Sequence, residues 1–149
     1  MKTNDILYKI KEALNLTTED MLEAYKLANY SMEAEKLDSL LQREGDTGFV
    51  LCSYEELGMF LDGLVVLKRG PSPKKSTKDT VALSNNLILK KLRIALELKE
   101  AETEIVFGLG EVQLSKQQLS SLFRKEGHKN YRECSDELLM VFLDGLDSL

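Results

Sequence analysis

The sequence predicts an all-α fold made of two tandem copies of a four-helix unit, packed with pseudo-twofold symmetry into one domain. Three observations lead there. Residues 4 to 64 match residues 86 to 146 at a constant offset of 82, without a gap and with about a third of positions identical, and self-similarity of that kind marks a repeated structural unit. Within each copy the apolar residues recur at i, i+3/i+4 and i+7, the spacing of one helical face. Both prolines of the chain fall in the stretch between the copies, "KRGPSPKKSTKDTVALS", whose composition suits a connector. The boundaries read as a first unit at 1–68, a linker at 69–83 and a second unit at 84–149. A unit of roughly 60 residues buries little core alone, so the copies are expected to share one.

The first helix of each unit carries Ile6, Leu7, Ile10, Ala13 and Leu14, mirrored by Ile88, Leu89, Leu92, Ala95 and Leu96. The second spans roughly Glu19 to Ala28. Its counterpart, "TEIVFGLG", holds β-branched residues and two glycines and is expected to be the weaker helix. The third starts at Ser115, where the hydroxyl can cap the helix while Gln118 reaches back and Leu114 meets Leu119 across the cap. Met32 and Leu37 hold those apolar positions in the first copy, but Glu33 stands where the serine would be. The fourth opens at Ser53 and Ser135 as N-caps, which places Cys52 against Leu57 and Cys134 against Leu139 as small apolar staple residues.

The pentapeptide "FLDGL" recurs at Phe60 and Phe142. Leu57, Phe60, Leu64, Leu139, Phe142 and Leu146 are expected to form the shared core. Gly63 and Gly145 lie beside that stripe, and a mid-helix glycine, costing roughly 1 kcal/mol against alanine, implies close approach of another helix, expected where the copies meet. Asp62 and Asp144 would face each other if that contact lay on the pseudo-twofold axis, although two solvated carboxylates are the plainer reading.

A net charge of −5 over 149 residues, with 30% charged and 43% hydrophobic residues, describes a soluble globular chain rather than a general nucleic-acid binder. The sequence has no apolar run near the ~18 residues that span a bilayer and no signal-type N-terminus, so no membrane association and a cytoplasmic location are expected. Two cysteines without a CxxC pattern give neither a disulfide framework nor a zinc site, and no metal or other cofactor is expected.

Charge is nevertheless unevenly placed. The stretch 123–134, "FRKEGHKNYREC", holds four Lys/Arg against two acids, whereas the matching 41–52, "LQREGDTGFVLC", holds one against two. Arg124, Lys125, His128, Lys129, Tyr131 and Arg132 therefore form the candidate ligand site: basic side chains around an aromatic ring, just ahead of a helix, suit a phosphate and a stacked base. An ordinary solvated loop is the alternative. Lys68, Arg69, Lys74, Lys75 and Lys78 could extend the patch if the connector folds beside it.

The opening "NDILYKIKEALNL", its echo "NLILKKLRIALEL" and the run "LSKQQLSSLFRKEGHKNYRECSDELLMVFLDGL" resemble the YehS-like family of small bacterial proteins over nearly the whole chain. The resemblance implies two copies of one α-helical domain of unknown function in the bacterial cytoplasm, and no catalytic or binding residue can be carried over. The residues themselves offer little to catalysis. His128 is the single histidine, and there is no HExxH, P-loop or dinucleotide fingerprint. No catalytic residue is assigned, and an unrecognised hydrolase is the least favoured reading. A non-catalytic interaction protein with an unidentified protein partner is expected, the alternative being nucleic-acid or nucleotide binding through 124–132.

Overall fold

The computed structural model describes residues 2–70 and 83–149. Among these the secondary structure is eight helices: α1 (Thr3–Ala13), α2 (Thr18–Leu27), α3 (Ala34–Leu40), α4 (Tyr54–Arg69), α5 (Asn85–Ala95), α6 (Glu100–Leu109), α7 (Lys116–Leu122) and α8 (Asp136–Asp147). Helices α1–α4 repeat as α5–α8, so the chain is all-α and tandem. Lys74, Lys75 and Lys78 lie outside the described residues, and so does most of the expected linker.

Local chemistry sets the helix ends. Ser53, Ser115 and Ser135 are N-caps whose hydroxyls accept the N–H of Glu56, Gln118 and Leu138, and Glu56 and Gln118 reach back to close capping boxes. Thr17 and Asp20 close another at α2. Glu33 gives α3 no side-chain cap.

Helix α6 is not the weaker helix expected. It runs ten residues, as α2 does, because Thr103, Val106 and Phe107 are fully buried and tertiary burial outweighs propensity. Gly108 falls in its last turn and Gly110 at its C-cap, where glycine costs little. Glu102 also accepts the Lys99 N–H at 3.0 Å, holding the first turn.

The six expected core residues are all buried, in one continuous cluster drawn from both copies. Equivalent aromatic pairs sit in each half: Tyr25 against Phe60 at 5.7 Å between ring centres, Phe107 against Phe142 at 5.2 Å. The copies meet where α1 packs on α8 and α4 on α5. At that seam Lys9 pairs with Asp144 at 2.7 Å and Lys91 pairs with Asp62. Lys9 and Lys91 are equivalent residues, as are Asp62 and Asp144, so the two pairs are one contact used twice about a pseudo-twofold axis. The aspartates do not form a carboxylate pair; each is taken up by a lysine of the other repeat.

The glycines of "FLDGL" do mark a close approach, but not the one expected. A Cβ on Gly63 would lie 1.6 Å from the carbonyl oxygen of Ala24, and one on Gly145 would lie 1.9 Å from that of Val106. The contact is α4 on α2 and α8 on α6, inside each repeat. Gly58, in the same helix as Gly63, has nothing within 4 Å of a Cβ. Gly63→Ala and Gly145→Ala should therefore destabilise the fold by about 2 kcal/mol or more in urea denaturation, through overpacking against backbone. Gly58→Ala should be neutral or stabilising by up to ~1 kcal/mol. Equal effects at Gly58 and Gly63 would reject the close contact as the reason for the glycine.

Candidate functional site

The geometry of the basic loop begins with a buried asparagine. Asn86, at the start of α5, donates from Nδ2 to the carbonyls of Leu122 at 3.0 Å and Arg132 at 2.8 Å, and its Oδ1 accepts the Cys134 N–H at 2.8 Å. Asn4 makes the same three bonds to Leu40, Val50 and Cys52, at 2.9, 2.8 and 2.8 Å. One amide thus joins the end of the third helix, the returning loop and the entry to the fourth. It supplies two donors and an acceptor from a buried position, and among the side chains of this size only a carboxamide does that. Identity of Asn4 and Asn86 in the repeat alignment was the sequence signal for this clamp, and composition alone carried none.

Between the anchored ends each loop makes two successive turns. In the second copy His128 N–H donates to Lys125 O and Tyr131 N–H to His128 O; in the first Asp46 and Phe49 donate to Arg43 and Asp46. Gly45 and Gly127 have φ of +95° and +94° with open space around them, so the shared glycine of the two frames is fixed by backbone conformation. The ring of His128 accepts the Asn130 N–H on Nδ1 at 3.0 Å, which makes it a turn residue.

All six candidate residues therefore lie on one loop. Arg124, Lys125, His128, Lys129 and Arg132 are exposed and Tyr131 is half-buried, as is its counterpart Phe49. None of Arg124, Lys125, Lys129 and Arg132 has an ion-pair partner among the described residues. Arg132 is the most firmly placed: its N–H donates to Ser121 O at 3.0 Å while its carbonyl is held by Asn86. Burial, reinforced by the carboxylates of Glu126 and Glu133, raises the Tyr131 phenol above its ordinary value. The first turn of α8 already carries Asp136 and Glu137, so an anion here would be met by side chains rather than by the helix terminus. Arg69 is paired with Glu97 at 3.3 Å.

A cleft of about 260 Å³ adjoins the loop, lined by Arg93, Glu100, Ser120, Phe123 and Arg124. Arg93 lies over the Phe123 ring at 4.5 Å, and its Nε donates to Leu98 O at 3.1 Å, a pose that fixes the guanidinium. Arg93 was not among the sequence candidates, being about thirty residues from the loop. The repeat offset could have found it, because the first copy places Lys11, Asp38, Leu41 and Gln42 where the second has Arg93, Ser120, Phe123 and Arg124.

Both thiols are buried in their expected staple positions. Burial, with Glu56 adding to it, pushes Cys52 up to about 12, and burial with Asp136 pushes Cys134 up to about 11 against the opposing pull of Arg132. The first repeat also buries polar groups that sequence reading missed. Glu56 is 2.8 Å from Lys36 Nζ; burial raises its pKa, but the bonds from Lys36 and Ser53 outweigh that and hold it below the ordinary value. The Tyr25 hydroxyl, fully buried beside Tyr30 and Phe60, has no hydrogen-bond partner among the described residues, and burial raises its pKa. Phe107 and Leu138 replace Tyr25 and Glu56 in the second repeat. Among the described residues no group of three or more His, Cys, Asp or Glu could hold a metal ion, and no helix is long and apolar enough to cross a membrane.

Two outcomes follow from this geometry. Asn4→Ala and Asn86→Ala should each cost about 2–4 kcal/mol, since each strands two carbonyls and an N–H. Asn4→Asp should be no better despite its shape, because it turns two donors into acceptors facing carbonyls; a loss below 1 kcal/mol in chemical denaturation would remove the clamp from its place. The thiols should react slowly with a disulfide reagent at pH 8 and fast once the chain is unfolded. Their folded pKa values lie above the ordinary 9.0, so their contribution to stability is complete below pH 9 and lost as pH rises towards 11–12. Rapid reaction of native Cys134 would contradict this.

Comparison with known proteins agrees with the repeat. The model of a family described as "Protein of unknown function (DUF1456)" matches residues 3–70 and again 85–148. The chain is 33% identical over 147 residues to the uncharacterized protein YehS of Escherichia coli (strain K12), covering 98% of this chain and 94% of that one. No solved structure matches. With the family model matching both repeats, the chain belongs to the DUF1456 family.

Proposed function

We propose that this is a non-catalytic binding protein whose second repeat takes an anionic, phosphate-bearing ligand, a nucleic acid or a nucleotide, on the loop 124–132. One observation carries the reading: four cations without ion-pair partners among the described residues stand on a backbone fixed by Asn86, while the first repeat builds the same backbone with Gln42, Arg43, Thr47 and Val50 at those positions. Arg93 and Arg124 both line the adjoining cleft with Glu100, and Ser120 replaces the carboxylate that the first repeat has at Asp38. Tyr131 offers a half-buried ring for a base to stack on. A binding role rather than catalysis is supported by the thiols, which are buried and raised, and by His128, whose Nδ1 is used by its own turn. The free, buried thiols also suit a reducing compartment, and we place the protein in the cytoplasm on that basis.

The reading is tested by titrating labelled single-stranded RNA, single-stranded DNA and common nucleotides at low ionic strength. Arg124→Ala, Lys129→Ala and Arg132→Ala should each weaken binding about tenfold, the loss of a charge-assisted contact worth ~1.5–3 kcal/mol. Thermal stability should stay nearly unchanged, Arg43→Ala should have no effect, and nucleic-acid affinity should fall steeply with salt. No binding of any probe, or an equal loss in the Arg43 variant, would discard the anion site.

A further inference from the structure

Helix α6 has two stripes. Thr103, Val106 and Phe107 face the core. The other stripe, Ala101, Glu104, Ile105 and Gly108, continues through Glu111 and Val112 and lines a concavity of about 670 Å³. Ile105 is 56% exposed and Leu109 42%. A Cβ on Gly108 would meet nothing within 4 Å, so fold packing does not require the glycine. Its absence of a side chain leaves the helix backbone bare to whatever lies on it.

The matching stripe of α2 shows what an ordinary solvated face on this scaffold looks like. Glu19, Leu22, Glu23 and Lys26 occupy it, and their counterparts are Ala101, Glu104, Ile105 and Gly108. Three charges have become two small residues and an isoleucine, and Leu22 has become the bordering Glu104. Helix α6 has no Lys or Arg, and Glu104 and Glu111 border the apolar strip. Glu111 moreover sits at φ 72°, where the first repeat has Asn29 at φ 59°. Asparagine tolerates that left-handed conformation and glutamate does so poorly; the same exchange occurs at Asn15 and Glu97, at φ 54° and 53° outside the groove, so Glu111 bears on the groove through its charge.

We propose that this stripe is a docking groove for an amphipathic helix of a protein partner, whose apolar residues cover Ile105 and Gly108 and whose lysines or arginines meet Glu104 and Glu111. The charge decides the class of occupant. A second copy of this chain presenting its own α6 would oppose glutamates to glutamates, whereas a basic-flanked apolar helix satisfies both parts of the strip. The groove shares no lining residue with the loop 124–132 or its cleft, so the protein would join an anionic ligand to a basic helical partner.

The test is selection of a displayed library of 16-residue helical peptides against the full chain, followed by affinity measurement of the enriched peptides by fluorescence anisotropy. Enriched peptides should carry apolar residues at i, i+3/i+4 and i+7 flanked by Lys or Arg. Ile105→Glu and Gly108→Lys, which give α6 the charges that α2 carries at the matching positions, should weaken them at least roughly tenfold, as expected for the centre of a small interface. Glu111→Asn should weaken them too while raising the melting temperature, a combination that a merely structural glutamate would not give. Failure to enrich, enrichment of acidic peptides, or binding indifferent to these variants would overturn the proposal. So would a dimer in sedimentation that Gly108→Lys converts to monomer, since the groove would then belong to a second copy.

Discussion

Everything on the loop side of each repeat depends on one carboxamide buried at the start of its first helix. Asn4 and Asn86 hold together three pieces of chain that are about 36, 46 and 48 residues away in sequence. A buried carbonyl at the end of a seven-residue helix and a part-buried one along the return would otherwise be left without this partner. Thr3 Oγ1, donating to Cys52 O at 2.5 Å, and Asn85, donating to Cys134 O at 3.1 Å, complete the arrangement in ways particular to each copy. Because the amide fixes the backbone and not the side chains, loop composition could change between copies without changing loop shape.

A second constraint works inside each repeat. Gly63 and Gly145 let the fourth helix lie directly on the second, bringing Phe60 against Tyr25 and Phe142 against Phe107. That inner pairing leaves α1 and α4 to meet α8 and α5 of the other copy. The reciprocal Lys–Asp pairs at this seam are exposed and add little energy, but they fix its register, and burial of both copies' apolar residues in one cluster supplies the stability.

With backbone and core held in common, the differences between the repeats collect on the surface and in a few buried substitutions. The first repeat keeps Tyr25 and Glu56 inside and a charged face on α2. The second has Phe107 and Leu138 inside, a basic loop above the Arg93 cleft and an apolar, acid-bordered stripe on α6. Two matching scaffolds in one chain thus serve as controls for each other, and both distinctive surfaces belong to the same repeat.

The tandem helical architecture, the caps at Ser53, Ser115 and Ser135, the staple role of the cysteines and the membership of the core were all legible in the sequence. Each is set by spacing of three or four residues along a helix, or by repetition at a fixed offset. The exposure of the charged loop residues was legible too, because a Gly-His-Lys-Asn turn with dense charge has nowhere to go but solvent. What the sequence left open were matters of contact across distance. The partner of each FLDGL glycine turned out to lie within its own repeat. The aspartates turned to lysines of the other repeat, α6 was rescued by burial of Val106 and Phe107, and Arg93 was brought beside Arg124. Local pattern reports which face of a helix is apolar but not which neighbour covers it, and that choice is made by the packing of all eight helices together.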